Sequence, residues 1–136
     1  MGQRSTRNRQ HTIFVYGTMK RGFPNHRLLA GARYLGPAST VERYALYVDM
    51  FPGVYPSEAV SPIRGELFQV SAEDLRRLDA LEGHPSLCHR EQVMVKTSKG
   101  EQEAWIYFYP TREGRLIPSG EFDPGKELQA GVFSSD

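Results

Sequence analysis

A single cysteine, Cys88, stands in the 136 residues, so no disulfide can form within the chain and a reducing compartment is expected. Long hydrophobic runs are missing as well. No stretch approaches the ~20 apolar residues that cross a bilayer, and none reads as a secretory core segment, so a cytoplasmic protein with no membrane partner is the expectation. Charge of one sign is equally scarce: seventeen Lys and Arg against sixteen Asp and Glu leave +1. No overall field draws the chain to nucleic acid or to an anionic surface, and partners have to be argued locally. Internal repeats and low-complexity tracts are absent too.

What is present suits one globular domain. With 39% hydrophobic and 24% charged residues, the chain is long enough to bury a single sizeable core. Residues 1–11 carry Arg4, Arg7 and Arg9 without an acid, and read as a flexible basic arm, either a frayed terminus or a nucleic-acid contact. Residues 12–109 carry the periodic segments and form the expected domain. Residues 110–136, opening PTREGRLIPSGEFDPG, are rich in Pro and Gly and read as a tail that packs on the domain or frays.

Thr12–Tyr16 is a short β-branched and aromatic run stopped by Gly17, the pattern of a buried strand. Pro24 and Asn25 open a short helix over NHRLLAGA, with Asn25 as its N-cap. Glu42–Asp49 and Ile63–Val70 alternate as strands, and the prolines of FPGVYPSEAVSP between them argue for irregular chain. Arg90–Thr97 and Gln102–Tyr109 flank SKGE and read as a hairpin turning at Lys99-Gly100. One helix is well marked, from Ser71 to about Glu82, with Asp74 completing a capping box and Gly83 and Pro85 marking the stop. An α+β domain follows: a mixed sheet of about five to seven strands and one or two short helices, curling toward a barrel that hides its edges.

That helix carries an anomaly. At ~100° per residue, Leu75, Leu78 and Leu81 define its apolar stripe, and Glu82 falls between Leu75 and Leu78. A carboxyl group so placed faces the core or a cleft, in the last turn, where burial and the negative end of the helix dipole both oppose its charge. A carboxyl brought toward neutrality can accept a proton and give it back, which is the requirement of general acid-base catalysis. The alternative is a Glu at a fraying end that swings to solvent or pairs with an arginine such as Arg90.

The first strand leaves through Tyr16-Gly17-Thr18-Met19-Lys20-Arg21-Gly22. Glycine lets main-chain N–H groups turn inward and a ligand approach closely, so the loop suits a carboxylate or oxyanion, with Lys20 and Arg21 adding charge. It matches neither a P-loop nor a dinucleotide fingerprint. A plain turn with two solvated basic residues is the other reading.

Together, YGTMKRG, Asn25-His26, Leu28-Leu29 and a helix ending LDALEGHP resemble the gamma-glutamylcyclotransferase-like superfamily, in particular its AIG2-like, gamma-glutamylamine cyclotransferase branch. The resemblance covers roughly residues 12–109. It implies a β-barrel-like α+β fold, no metal or organic cofactor, and a small-molecule γ-glutamyl substrate cyclised to 5-oxoproline with release of an amine. It places the catalytic glutamate on Glu82 and the substrate-cradling loop on Tyr16, Gly17, Thr18 and Met19, with Lys20, Asn25, Cys88 and Tyr109 as candidates for the pocket wall. Two departures stand out: Met19 replaces the usual leucine, and Cys88 stands where relatives often carry tyrosine, which bears on substrate preference. A noncatalytic binding module of the same fold, or a γ-glutamyl-removing step in a biosynthetic pathway, are the alternatives.

Other chemistries fit less well. His84, Cys88 and His89 lie near Glu82, but adjacent strand residues point to opposite faces and no second ligand pair has zinc spacing. Cys88 lacks an activating constellation for a nucleophile. Trp105, Tyr107 and Tyr109 alternate with Ile106 and Phe108, a strand apolar on both faces, which core packing explains better than base stacking. Nothing chooses between a monomer and a homodimer.

Overall fold

The computed structural model describes residues 10–17, 19–20, 22, 24–49 and 51–123, with the main chain alone for Pro24, Asn25 and Leu28. Its strands are β1 (Gln10–Val15), β2 (Arg33–Val48), β3 (Pro52–Tyr55), β4 (Ser61–Ser71), β5 (His89–Thr97), β6 (Gly100–Phe108) and β7 (Arg115–Ile117). A 3₁₀ helix covers Pro24–Leu29, where the sequence suggests a longer helix, and α1 covers Ala72–Glu82.

The strands form one seven-stranded sheet in the order β1-β4-β2-β3-β6-β5, with β7 on β2. A further parallel pairing joins β1 to β6 (Ile13 opposite Trp105), so the sheet closes on itself and its inner edges are covered. Alternation along each central strand divides the core in two. Phe14, Leu67, Ala104, Ile106 and Phe108 fill the barrel. Their neighbours Ile13, Val15, Phe68, Val70 and Tyr107 face outward and are covered by Leu75 and Leu78 of α1. That two-sided burial is why β1 and β6 read as unbroken apolar runs.

Both ends of α1 follow local chemistry. The Ser71 hydroxyl accepts the Asp74 N–H at 3.0 Å, and Gly83 adopts φ 73°, a left-handed value that a side chain disfavours. The main chain of Gly83 and His84 then returns bonds to Ala80 and Asp79.

Several expectations are corrected. FPGVYPSEAVSP is not irregular throughout: Pro52–Tyr55 forms β3, antiparallel to β2 and parallel to β6 at Val54 opposite Phe108. Pro52 is the first residue of its strand, and Pro62 sits opposite Arg43 beside a register shift in β2, positions where a missing N–H is tolerated. β2 begins at Arg33 rather than Glu42 and passes two irregularities, at Tyr34/Gly36 and Ser39/Arg43. The hairpin is confirmed, but Thr97 pairs with Gly100, so Ser98 and Lys99 make the turn. Leu81 belongs to the exposed side of α1, not to its core stripe. The tail, expected to pack on the domain or fray, is not corrected where it is described: Arg115–Ile117 packs on β2 as β7, and Ile117 and Phe122 are buried. Among the described residues, no helix is long and apolar enough to cross a membrane.

Candidate active site

Parallel pairing of β1 with β6 makes these two strands leave the sheet at one end, and β3 begins alongside the last residues of β6. The C-terminal end of α1 arrives at the same end, and a cavity of about 280 Å³ opens there. Its wall includes Tyr16, Gly17 and Met19 from the β1 exit, Phe51 and Pro52 from the start of β3, Leu81 and Glu82 from α1, Leu87 from the following loop, Tyr107 from β6 and Tyr109 just past the end of β6. That volume sits just below the ~300–1,000 Å³ of drug-sized sites, which suits a metabolite of amino-acid size.

Glu82 reaches this cavity from the last residue of α1. Burial raises its pKa above the usual carboxylate value, and two hydrogen bonds pull the other way. The Cys88 thiol donates to Oε1 at 3.5 Å and the Tyr109 hydroxyl donates to the same oxygen at 3.4 Å. Both donors are neutral and both contacts long, so burial prevails. Cys88 is itself buried, and desolvation pushes its thiol up to about 12, which keeps it protonated and able to donate. Tyr109 is likewise raised, first by burial and then by Glu82.

The suggested pairing of Glu82 with Arg90 does not occur. Arg90 grips Asp79, one turn back on α1, through Nε to Oδ1 at 2.7 Å and a second nitrogen to Oδ2 at 2.9 Å. Tyr107 adds a hydroxyl to Oδ1 at 2.6 Å, and the guanidinium lies 4.1 Å over the Trp105 ring. Burial pushes the Asp79 carboxyl up, but the Arg90 and Tyr107 bonds and the Arg90 charge together outweigh it and hold it below the usual range. Sequence reasoning missed Asp79 and Tyr107. Three-residue spacing from Glu82 was the available signal for Asp79, since residues i and i+3 share a helix face.

The β1 exit is tightly built. Tyr16 is buried, and its hydroxyl donates to the Tyr107 carbonyl at 3.0 Å while accepting the Val54 N–H at 3.3 Å. It therefore seals the seam between β3 and β6. A Cβ on Gly17 would lie 2.7 Å from Pro52 Cγ, so only glycine fits without displacing that ring. The Gly17 carbonyl accepts the Lys20 N–H at 3.1 Å, and the Met19 carbonyl accepts from His26 Nδ1 at 3.1 Å.

Tyr16, Gly17, Met19, Glu82 and Tyr109 thus meet at one cavity. Cys88 touches it through Glu82. Lys20 is not part of the wall: it is buried and its ammonium donates to the Phe122 carbonyl at 2.8 Å, tying the loop to the C-terminal segment. Thr18, Arg21 and the Asn25 side chain lie outside the described residues. Among those described, no group of three or more His, Cys, Asp or Glu is placed to hold a metal ion.

Comparison with known proteins gives a consistent result. The family model for gamma-glutamyl cyclotransferase, AIG2-like, matches residues 13–124. A Methanocaldococcus jannaschii protein named "Putative gamma-glutamylcyclotransferase MJ1514" is 41% identical over 112 residues, covering 81% of this chain and 93% of that one. The Rattus norvegicus gamma-glutamylaminecyclotransferase is 33% identical over 134 residues, covering 90% and 76%. Among solved structures, an AIG2-like protein of Mus musculus superposes with a TM-score of 0.77 at 26% identity, covering 86% of this chain and 92% of that one.

Proposed function

The chain belongs to the gamma-glutamyl cyclotransferase, AIG2-like family, and from that premise we propose that it releases 5-oxoproline and a free amine from a γ-glutamyl-amine or γ-glutamyl amino acid, with Glu82 as the acid-base. The observation that carries this reading is a carboxyl group set into a largely apolar cavity, raised toward neutrality by burial and touched by neutral donors on one oxygen. With Oε1 engaged by Cys88 and Tyr109, Oε2 is left to move protons.

The reaction needs no protein nucleophile. Folded in the cavity, the substrate brings its own α-nitrogen to its γ-carbonyl carbon, and holding that geometry supplies much of the acceleration. Glu82 takes a proton from the α-ammonium, and the amine attacks to close a five-membered ring. The tetrahedral intermediate collapses as the bond to the departing nitrogen breaks, and Glu82 returns the proton to that nitrogen. A second transfer along the same route leaves the ring nitrogen with one of the three original protons and the departing amine as an ammonium ion. The carboxylate ends as it began. Main-chain N–H groups of Gly17 and Met19, which line the cavity, hold the α-carboxylate or the oxyanion in this reading.

The test is 5-oxoproline released from a panel of γ-glutamyl-amines and γ-glutamyl amino acids, followed by mass spectrometry, for the wild type and Glu82→Gln. Expected is turnover on part of the panel that the variant loses while it still binds substrate. A wild type that binds panel members without turning any over refutes the catalytic reading and leaves a binding module.

A further inference from the structure

Resting on the reading just given, we propose that the departing amine carries an alkyl or other apolar group, which lies across a rim formed by Phe51, Leu81 and Leu87. Five large apolar side chains are exposed among the described residues, and these three, at 54, 58 and 59% exposure, gather on the wall of the one cavity that holds Glu82. Scattered exposed leucines need no explanation; a cluster at a cavity mouth does.

Each rim residue is held in place. Leu81 stands on α1 next to Glu82. Leu87 donates its N–H to the Gly83 carbonyl at 2.7 Å and packs so close that a Cβ on Gly83 would meet its own Cβ at 2.7 Å. The Phe51 ring tilts against Tyr109 with centroids 5.5 Å apart, and the Tyr109 hydroxyl reaches Glu82. The rim is thus continuous with the acid-base itself.

Geometry then assigns the occupant. Cyclisation puts the γ-carbonyl beside Glu82 and folds the glutamyl part back on itself, so the departing group is the part that extends through the mouth. An apolar group there removes the three exposed side chains from water, whereas a carboxylate there would give up hydration for contacts that return no hydrogen bond. Beyond the Phe51–Tyr109 wall lies a shallow depression that includes Asp49 and Glu113, and these set like charge against an anionic group.

The experiment uses γ-glutamyl amides of methylamine, propylamine and hexylamine, and of 6-aminohexanoate, which matches the length of hexylamine but ends in a carboxylate. Expected is kcat/KM rising about twofold to fourfold per methylene along the alkyl series, with the carboxylate-ended amide at least about tenfold below the hexyl amide. In Leu81→Ser/Leu87→Ser, the hexyl-to-methyl ratio falls toward one, whatever the absolute rates. Turnover that is flat along the series, or best with the carboxylate, overturns the proposal and leaves the cyclotransferase reading standing. No turnover of any amide defeats that reading; calorimetric binding of the same series to the wild type then reads the rim alone, and equal affinities for methyl and hexyl amides overturn it too. A flat series together with a homodimer that dissociates in the double variant shows instead that the rim meets a second copy of the chain.

Discussion

Asp79 and Glu82 are both carboxylates, stand three residues apart on α1 and point to the same side of it, toward β6 and its neighbours. Their surroundings separate them. Asp79 meets a guanidinium through two bonds and a phenol through a third, so its charge is matched and its pKa held low. Glu82 meets a thiol and a phenol, neither of them charged, in an apolar cavity, and its pKa is raised by burial. Two like groups are pushed in opposite directions, as the proposed division of labour requires: a fixed structural charge at Asp79 and an exchangeable proton at Glu82. The partner tyrosines are two residues apart, Tyr107 on β6 for Asp79 and Tyr109 just past its end for Glu82, and the difference lies in Arg90, which faces Tyr107 across the hairpin.

The widest separation should appear on mutation to the neutral isostere. Glu82→Gln is expected to lower turnover of γ-glutamyl substrates by about 10²–10⁴. Asp79→Asn should leave a measurable rate in whatever fraction remains folded. If Asp79→Asn is the inactive variant and Glu82→Gln the active one, the roles assigned to the two carboxylates are wrong.

Stability should sort the pair the other way. Arg90→Met removes the charge partner of Asp79 and is expected to cost about 1.5–3 kcal/mol, read as a fall in the denaturant midpoint at unchanged slope. Glu82→Gln removes a charge that burial opposes, and is expected to be neutral or to stabilise by about 0.5–2 kcal/mol at neutral pH. Equal losses for both variants would mean that Glu82 is a structural charge as well.

A finer test concerns the two donors on Glu82. Both lower its pKa, so removing either one raises it. In Tyr109→Phe and in Cys88→Ala, the acidic limb of the kcat/KM profile should move to higher pH, with turnover below that limb down roughly threefold to tenfold. Cys88→Ser keeps a donor and should restore the limb. A limb that stays in place in all three would show that these contacts, at 3.4 and 3.5 Å, do not act on the proton.

What could be seen in the sequence was what local chemistry decides. Ser71 and Asp74 mark one end of α1 and Gly83 the other through hydrogen bonds and a dihedral angle that involve only near neighbours. Helical period alone sets Glu82 beside Leu75 and Leu78, and the hairpin follows from two apolar runs around one turn. The likeness of YGTMKRG and LDALEGHP to a known family carried the rest of the site, including the meeting of Tyr16, Gly17 and Met19 with Glu82 that no local signal predicts. Hidden features depended on distant partners. β3 exists among prolines because β2 and β6 lie on either side of it, and Arg90 selects Asp79 because β5 and β6 pair in the register that sets it opposite Tyr107. The helical wheel found the stripe but not its boundary, which is drawn where the cavity begins, and so Leu81 fell on the wrong side.

The smallest expected effect is also the one that reads both carboxylates in the same experiment. Asp79, held low in the folded chain, contributes stability that is complete above its ordinary unfolded value of ~3.9 and is lost as pH falls through its folded value. Glu82, held high, has the opposite sign: between its ordinary value of ~4.3 and its folded value the unfolded chain has released the proton that the native chain still holds. Stability attributable to Glu82 therefore declines as pH rises across that window and is level above it. Each group contributes a slope of at most about 1.4 kcal/mol per pH unit, so the two are separable by subtraction. The difference curve between wild type and Asp79→Asn should bend on the acid side, and that between wild type and Glu82→Gln should bend above it with the reverse sign. Denaturant unfolding repeated from about pH 2 to pH 7 supplies both curves, and two bends of the same sign would mean that the environments of Asp79 and Glu82 do not push their protons apart.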